Sequence, residues 1–144
     1  MAIRVLYLCT GNSCRSQMAE GWLRKLGGER FDAFSAGIEA HGKNPRAIAV
    51  MREAGVDISG QESEILDPKL LDSLDLLVTV CGHADEHCPA IPVSCAREHW
   101  PFDDPAKATG TEEEIMAEFR RVRDQIRGKV EAFLSDNAIA SLGQ

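Results

Sequence analysis

The chain has 144 residues, a length typical of one folded domain. Its 16 Lys and Arg are outnumbered by 23 Asp and Glu, and the resulting net charge of −7 at pH 7 argues against a nucleic-acid partner. No apolar run is long enough to span a bilayer, and no signal-peptide pattern is present. We therefore expect one domain over residues 1–144, located in the cytoplasm, with no membrane partner.

Strands and helices alternate in the first part of the chain. The apolar run at residues 3–8 predicts a buried strand. From Ser16 onward, apolar residues recur every four positions until Gly27 and Gly28, which predicts a helix. The next two elements are a strand at residues 31–36 and a helix that begins at Pro45 and ends near Gly55.

The second part of the chain continues this alternation. A helical turn within residues 67–75 leads into a strand at 76–80, and a short strand is predicted at 92–95. Thr111 and Glu114 form a capping box before a long amphipathic helix. Apolar residues mark that helix at intervals of three or four: Ile115, Phe119, Val122, Ile126, Val130 and Phe133. The pattern predicts an α/β fold in three layers, with a four-stranded parallel sheet flanked by helices.

The segment "CTGNSCRS", residues 9–16, comes directly after the first predicted strand. Ligands bind at the carboxyl ends of strands in such folds. Gly11 and Asn12 permit tight or left-handed backbone, and a helix begins just after Arg15. The N–H groups of the loop can then converge with the helix N-terminus on one point. We predict a site for a tetrahedral oxyanion, formed by Thr10, Gly11, Asn12, Ser13, Cys14 and Arg15.

The same segment supplies chemistry. A helix N-terminus and a guanidinium lower the pKa of a cysteine from its usual value of about 8.5, so we expect Cys9 to be a thiolate nucleophile. Arg15 would hold two oxygens of the anion with its planar fork, and Ser16 would donate to the thiolate or cap the helix. Asp104, fixed by Pro105, is the predicted general acid for the departing oxygen. The alternative for Asp104 is an ordinary Asp-Pro turn or helix cap.

Five cysteines are an odd number, and a reducing compartment disfavours structural disulfides. Cys81 and Cys88 stand seven positions apart; in a helix they would be about 10 Å apart along the axis, whereas a disulfide needs Cα atoms about 5.5 Å apart. A reduced helical form and an oxidised looped form would therefore be distinct states. If Cys9 attacks arsenic(V), Cys81 can attack the Cys9 sulfur while two electrons pass to arsenic, and Cys88 can then attack Cys81.

Zinc is the alternative use of these thiols, although the spacing fits no closed zinc pattern and adjacent His87 and Cys88 cannot easily face one ion. Cys14 either lines the oxyanion site or packs beside it, and Cys95 is predicted to be structural. His41 and His99 have no partner visible in the sequence and are predicted at the surface. The candidate zinc ligands are Cys81, His83, His87, Cys88 and Cys95.

Taken together, five segments resemble the thioredoxin-coupled arsenate reductases, which have the low-molecular-weight tyrosine phosphatase fold. They are "CTGNSCRSQMAEG", "FSAG", "CGHADEHCP", "HWPFDDPA" and "FRRVRDQI", and they extend over nearly the whole chain. The resemblance implies arsenate as substrate, phosphate or sulfate as competing oxyanions, thioredoxin as electron donor and no bound organic cofactor. The residues it implies are Cys9 as nucleophile, Arg15 as anion clamp, Asp104 as acid, and Cys81 and Cys88 as the redox disulfide.

Some members of that family bind a potassium ion near the anion loop. The corresponding positions are Asn12, Glu20, Ser35 and Glu64, where Glu64 is one methylene longer than the aspartate associated with that site.

Two other functions remain open. A phosphatase would hydrolyse a phosphoryl group on Cys9, with Asp104 as acid and then base. Members specific for phosphotyrosine usually carry an aromatic residue after the Asp-Pro pair, whereas Ala106 stands here and favours a small inorganic anion with residual phosphatase activity. A non-catalytic redox sensor or zinc module would use Cys81 and Cys88 but would give Arg15 no role.

Overall fold

A computed structural model describes residues 2–88 and 95–136, and a parallel four-stranded sheet lies at its centre. The strand order is β2-β1-β3-β4, and every neighbouring pair is parallel. The α/β fold class is confirmed, and the first three predicted strands are confirmed to within one residue at their ends. The strands are β1 (Ile3–Cys9), β2 (Phe31–Gly37), β3 (Leu76–Thr79) and β4 (Ala96–His99).

The fourth strand differs from its prediction at residues 92–95. Positions 92–94 lie outside the described residues, and Cys95 forms a bend just before β4. All four residues of β4 are exposed, and β4 pairs only with β3 within the described part of the chain. Because an exposed edge strand needs no apolar run, the sequence of β4 lacks the pattern that predicted the other three strands.

Five α-helices connect or follow the strands, and most begin at a side chain that caps them. Asn44 accepts hydrogen bonds at the start of α2, Asp67 does so at the start of α3, and Thr111 with Glu114 forms the predicted capping box of α5. Single 3₁₀ turns lie at Gly28–Arg30 and Pro105–Lys107. The helices are α1 (Arg15–Gly27), α2 (Pro45–Glu53), α3 (Pro68–Leu71), α4 (Gly82–Glu86) and α5 (Glu112–Ser135).

The helices cover the middle of the sheet. β3 is buried along its whole length, and β1 along all but one residue, so both faces of these strands are covered. α1 packs against α5, where the Trp22 indole donates a hydrogen bond to the Arg123 carbonyl at 3.2 Å. No helix among the described residues combines the length and apolar character that crossing a membrane requires.

The order of the strands sets the location of the site. β1 and β3 are neighbours, with Leu8 opposite Thr79 in the register. Cys9, the last residue of β1, and Cys81, two residues beyond β3, therefore lie at the same carboxyl edge of the sheet. The sequence pattern predicted that each cysteine lies at the carboxyl end of a strand. The strand order, in which β1 and β3 are neighbours, brings the two cysteines together.

Candidate active site

Residues 9–15, here called the anion loop, form a cradle of backbone N–H groups. Its carbonyl oxygens are bound from outside by the segment that follows β2. In a trans peptide the N–H group of the next residue points the opposite way, and the described residues contain no cis peptide. The N–H groups of Thr10, Gly11, Asn12 and Cys14 therefore point away from that segment, which is the arrangement that an oxyanion site needs. The four external bonds run from Ile38 to Cys9, Glu39 to Thr10, His41 to Gly11 and Asn44 to Ser13, at 2.8–3.1 Å.

Asn12 determines the turn of the anion loop. It is fully buried and has a φ of 47°, the left-handed conformation that Asn tolerates better than most residues. The Ser16 hydroxyl donates to its Oδ1 at 2.8 Å, and the Gln17 amide donates to its carbonyl at 3.2 Å. The prediction that Ser16 donates to the Cys9 thiolate or caps the helix is wrong, because its one hydroxyl proton goes to Asn12.

A cavity of about 470 Å³ opens above the anion loop. It brings together eight of the predicted site residues: Cys9, Thr10, Gly11, Ser13, Cys14, Arg15, Cys81 and Asp104. Five further residues line the cavity, of which only Ala106 was predicted to lie beside the anion: His41, Gly82, His83, Ala106 and Lys107. Gly82 and His83 follow Cys81, and Ala106 and Lys107 follow Asp104, so their positions next to predicted site residues could have indicated that they line the cavity.

Arg15 is held at the wall of the cavity. Its Nη1 donates to the Phe102 carbonyl at 3.0 Å, and its Nη2 lies 3.6 Å from an Asp104 carboxylate oxygen. Its Nε is buried and has no hydrogen-bond partner among the described residues. A buried donor of this kind is costly unless a ligand accepts its proton, which is what an oxyanion can do.

Asp104 has two contacts, one from each carboxylate oxygen. Oδ1 accepts from the Ala106 N–H at 3.0 Å and caps the turn at Pro105–Lys107, while Oδ2 faces Arg15. Asp104 therefore caps this turn, as the alternative proposed, and also lines the cavity, while its role as general acid stays a prediction. The adjacent Asp103 instead pairs with Arg121 at 2.9 Å.

The Cys9 and Cys81 thiols line the same cavity, and the ionisation of each depends on the other. Interaction with the Cys81 sulfur and burial raise the pKa of Cys9, so Cys9 keeps its proton. The same interaction lowers the pKa of Cys81 to about 4, helped by the Thr10 hydroxyl at 3.2 Å and the Ala84 N–H at 3.4 Å. The expected thiolate is therefore on Cys81 rather than on Cys9, because the two sulfurs share one proton.

Cys81 and Cys88 lie at opposite ends of α4. The Cys81 sulfur caps its first turn, and the Cys81 carbonyl accepts from the Asp85 N–H at 3.1 Å. Cys88 follows the helix, is half-buried and lies outside the cavity. This arrangement is the reduced, helical form that was expected for the segment.

The remaining cysteines have different environments. Cys14 is buried at the cavity wall, where desolvation raises its pKa to about 11. Cys95 is buried in the hydrophobic core. The described residues contain no cluster of three His, Cys, Asp or Glu side chains with the geometry of a metal site. Within α4, the His83 and His87 rings stack with centroids 4.1 Å apart.

His41 and His99 have partners that the sequence did not reveal. His41 lies 2.5 Å from the Glu39 carboxylate, and its ring rests so close to Gly11 that a β-carbon there would collide with it. His99 contacts the Thr79 hydroxyl at 2.8 Å. The surface assignment of His41 is incomplete, because this residue also lines the cavity.

Three of the four potassium positions, Glu20, Ser35 and Glu64, line one cavity, but the Arg24 side chain lines it too. The Glu20 carboxylate is buried, accepts from Ser35 at 2.6 Å and pairs with the Arg24 guanidinium at 2.7 Å. The Asn12 oxygen is taken by Ser16, and its amide nitrogen donates to the Glu64 carbonyl at 3.4 Å. The residues therefore do not fit a potassium ion unless Arg24 leaves Glu20, and potassium binding stays a prediction.

The sequence and fold are similar to those of known proteins. The arsenate reductases of Bacillus licheniformis and Halalkalibacterium halodurans are each 58% identical over 129 residues, which is 90% of this chain and 93% of theirs. The solved structure of an arsenate reductase in the phosphate binding state superposes with a TM-score of 0.76 at 34% identity, covering 92% of this chain and 97% of that one. Residues 4–143 match the family described as low molecular weight phosphotyrosine protein phosphatase. The chain belongs to that family.

Proposed function

We propose that this chain reduces arsenate to arsenite, with Cys9 as the nucleophile and Cys81 and Cys88 as a thiol relay. The names of its relatives support the reaction. The observation that carries the proposal is that Cys9 and Cys81 line one cavity, at the carboxyl ends of the neighbouring strands β1 and β3. Hydrolysis of a phosphate ester needs one thiol in the anion loop, whereas reduction of arsenic needs a second thiol within reach of the first.

Arsenate binding uses the N–H groups of the anion loop and the Arg15 guanidinium. The phosphate-bound state of the structural relative supports binding of a tetrahedral oxyanion. The Cys9 sulfur then forms a bond to arsenic(V) while its proton passes to the Cys81 thiolate. Asp104, which lines the same cavity, donates a proton to the departing hydroxyl group, which leaves as water.

Reduction occurs in the next step. Cys81 gives its proton to an arsenic-bound oxygen, and its sulfur attacks the Cys9 sulfur. The sulfur–arsenic bond breaks, both of its electrons stay on arsenic, and arsenite leaves. Cys88 then loses its proton and attacks the Cys81 sulfur, Cys9 departs and takes up a proton, and a disulfide joins Cys81 and Cys88.

The final disulfide needs an external reductant. A dithiol protein of the thioredoxin class suits this role, because most residues between Cys81 and Cys88 are exposed and the disulfide would be open to attack. Such a donor operates in a reducing compartment, which is consistent with a cytoplasmic location.

A weak phosphatase activity accompanies the proposal. The anion loop, Arg15 and Asp104 supply the groups that hydrolysis of a phosphate monoester uses. Ala106 lines the cavity and offers no ring on which a phenyl group could stack. We therefore propose small inorganic anions as the preferred substrates.

The test is mass spectrometry of alkylated thiols before and after one arsenate turnover. We expect the wild-type protein to release arsenite and to hold a Cys81–Cys88 disulfide with Cys9 free. Cys88→Ser should stop at a Cys9–Cys81 disulfide, and Cys81→Ser should release no arsenite. Release of arsenite from wild-type protein with Cys81 and Cys88 both reduced would refute the relay.

Hydrolysis of p-nitrophenyl phosphate provides the control. Cys81→Ser and Cys88→Ser should retain it, because hydrolysis needs no second thiol, whereas Cys9→Ser should lose it. With thioredoxin, thioredoxin reductase and NADPH, all three variants should fail to sustain arsenate turnover. Normal cycling by Cys88→Ser would contradict the proposed role of Cys88.

A further inference from the structure

Asp85 lies inside α4 and binds both of the strands beside that helix. The Nη2 group of Arg97, on β4, donates to the Asp85 carboxylate and also to its backbone carbonyl, each at 2.7 Å. The Thr79 hydroxyl, at the end of β3, donates to the same carboxylate oxygen at 3.0 Å. No other ion pair among the described residues joins α4 to the sheet, apart from the longer 3.9 Å approach of His99 to Asp85.

These contacts matter because α4 is too short to be stable by itself. The helix has five residues, fewer than an isolated helix in water requires. The Arg97 guanidinium also lies beside a carbonyl in its last turn, where a positive charge is favourable. The side chain of Asp85 and its partners therefore contribute much of what holds the segment in helical form.

Formation of the Cys81–Cys88 disulfide requires this helix to open. The two cysteines flank α4, and the five residues of this helix rise about 7.5 Å between them, beyond the Cα separation of about 5.5 Å that a disulfide needs. The hydrogen bond from the Asp85 N–H to the Cys81 carbonyl lies between the two thiols and must break. Asp85 then leaves its position on Arg97, because β4 is part of the sheet and stays in place.

We propose that Asp85 and Arg97 form a latch that stabilises the dithiol form of Cys81 and Cys88 and thereby sets the reduction potential of this pair. The latch rests on the proposed relay and adds a positioning role for residues outside the cavity. It exchanges no electrons itself. When Cys88 attacks Cys81, one sulfur–sulfur bond forms as the Cys9–Cys81 bond breaks, and the latch opposes only the helix opening that this step needs.

The expected size follows from the exposure of the pair. The side chains of Arg97 and Asp85 are 38% and 36% exposed, so solvent screens their attraction and the latch has a modest effect. We expect Arg97→Met to shift the equilibrium with glutathione toward the Cys81–Cys88 disulfide by about threefold to tenfold. For a two-electron couple this corresponds to a potential about 15–30 mV more negative. The reduction potential of Arg97→Lys should lie between those of the wild-type protein and Arg97→Met, because lysine keeps the charge but lacks the planar guanidinium.

The experiment equilibrates the full chain with glutathione buffers and quantifies the Cys81–Cys88 disulfide by alkylation and mass spectrometry. Arg46→Met is the matched control, since it breaks an ion pair of similar length, to Glu112, between α2 and α5. The effect of Arg97→Met should disappear in an Asp85→Asn background, because the interaction is then already lost. Urea unfolding of each reduced variant checks that the sheet remains folded.

The latch is refuted if Arg97→Met shifts the potential no further than Arg46→Met does, or if the shift is unchanged in the Asp85→Asn background. It is also refuted if wild-type protein forms no Cys81–Cys88 disulfide with glutathione. The measurement contains no arsenate, so the latch and the proposed reaction fail separately. A shifted couple in a protein that does not reduce arsenate would support the latch and reject the function.

Discussion

The Thr10 hydroxyl lies 3.2 Å from the Cys81 sulfur and so connects the anion loop to the end of β3. The two residues are 71 positions apart in the chain. The contact joins the nucleophile's loop to the second thiol of the proposed relay, so the ionisation of Cys81 depends on the anion loop.

Removal of this hydroxyl is expected to raise the pKa of Cys81 above its value of about 4, because the donor stabilises only the thiolate. Thr10→Val should show the rise as a shift in the pH at which thiolate absorbance appears, and Thr10→Ser should not. The folded protein favours the Cys81 thiolate more than the unfolded chain does, which adds to the free energy of unfolding. This contribution is complete above the pKa of an unfolded thiol, about 8.5, and is lost as the pH falls toward 4. Thr10→Val should therefore weaken the pH dependence of the unfolding free energy in that interval. An unchanged thiolate titration would show that Thr10 does not act on Cys81.

Asp104→Asn is expected to slow formation of the first arsenic adduct by about 10²- to 10⁴-fold, the usual contribution of a general acid. The amide keeps an oxygen that can cap the turn at Pro105–Lys107 but has no proton to give to a leaving hydroxyl. Inhibition by phosphate should remain or tighten slightly, since a carboxylate that faces Arg15 and would repel the anion is removed. Rapid-quench measurement of a single turnover separates the two effects. Equal single-turnover rates in the wild-type protein and in Asp104→Asn would show that Asp104 is not the general acid.

The anion loop could be predicted from the sequence because its signals are local. An apolar strand, then Gly11 and Asn12, then the start of a helix are consecutive in the chain, and each determines the conformation of its neighbours. The same holds for the capping box at Thr111, where the two hydrogen bonds connect residues three positions apart.

Features that depend on strand order were beyond the reach of the sequence. The contact of Cys9 with Cys81 follows from β1 lying beside β3, and the shared proton moves the negative charge to the thiol that was not expected to carry it. The Ser16 hydroxyl was assigned to the nearest charged group, whereas the left-handed turn at Asn12 brings a closer acceptor. Periodicity carries no information on either choice.

Gly11→Ala is expected to weaken the anion loop, because the new β-carbon would overlap the imidazole of His41. We expect a loss of about 1–3 kcal/mol in the free energy of unfolding and weaker phosphate binding, as for other overpacked sites. The second substitution His41→Ala should restore much of both losses by removing the ring. Urea unfolding and phosphate inhibition constants measure the two quantities.

Gly37→Ala is the matched comparison for that pair of variants. At this position a β-carbon would overlap the Glu39 carbonyl and approach the Asn12 nitrogen, which are backbone atoms. No side-chain substitution can relieve the overlap, so His41→Ala should not rescue Gly37→Ala. Rescue of both glycine variants by His41→Ala would mean that the histidine acts on the loop in some other way.

Removal of potassium is expected to leave the wild-type protein unchanged, because Arg24 already neutralises the buried carboxylate of Glu20. Burial raises the pKa of Glu20, so this carboxylate needs a nearby positive charge to stay ionised. Arg24→Met should therefore create a dependence on potassium, with a melting temperature about 3–5 °C higher in KCl than in NaCl when the ion is about tenfold above its dissociation constant. Arg24→Lys keeps the charge and should respond to neither salt. An equal response to KCl in wild-type protein and in Arg24→Met would show that the ion binds without displacing Arg24.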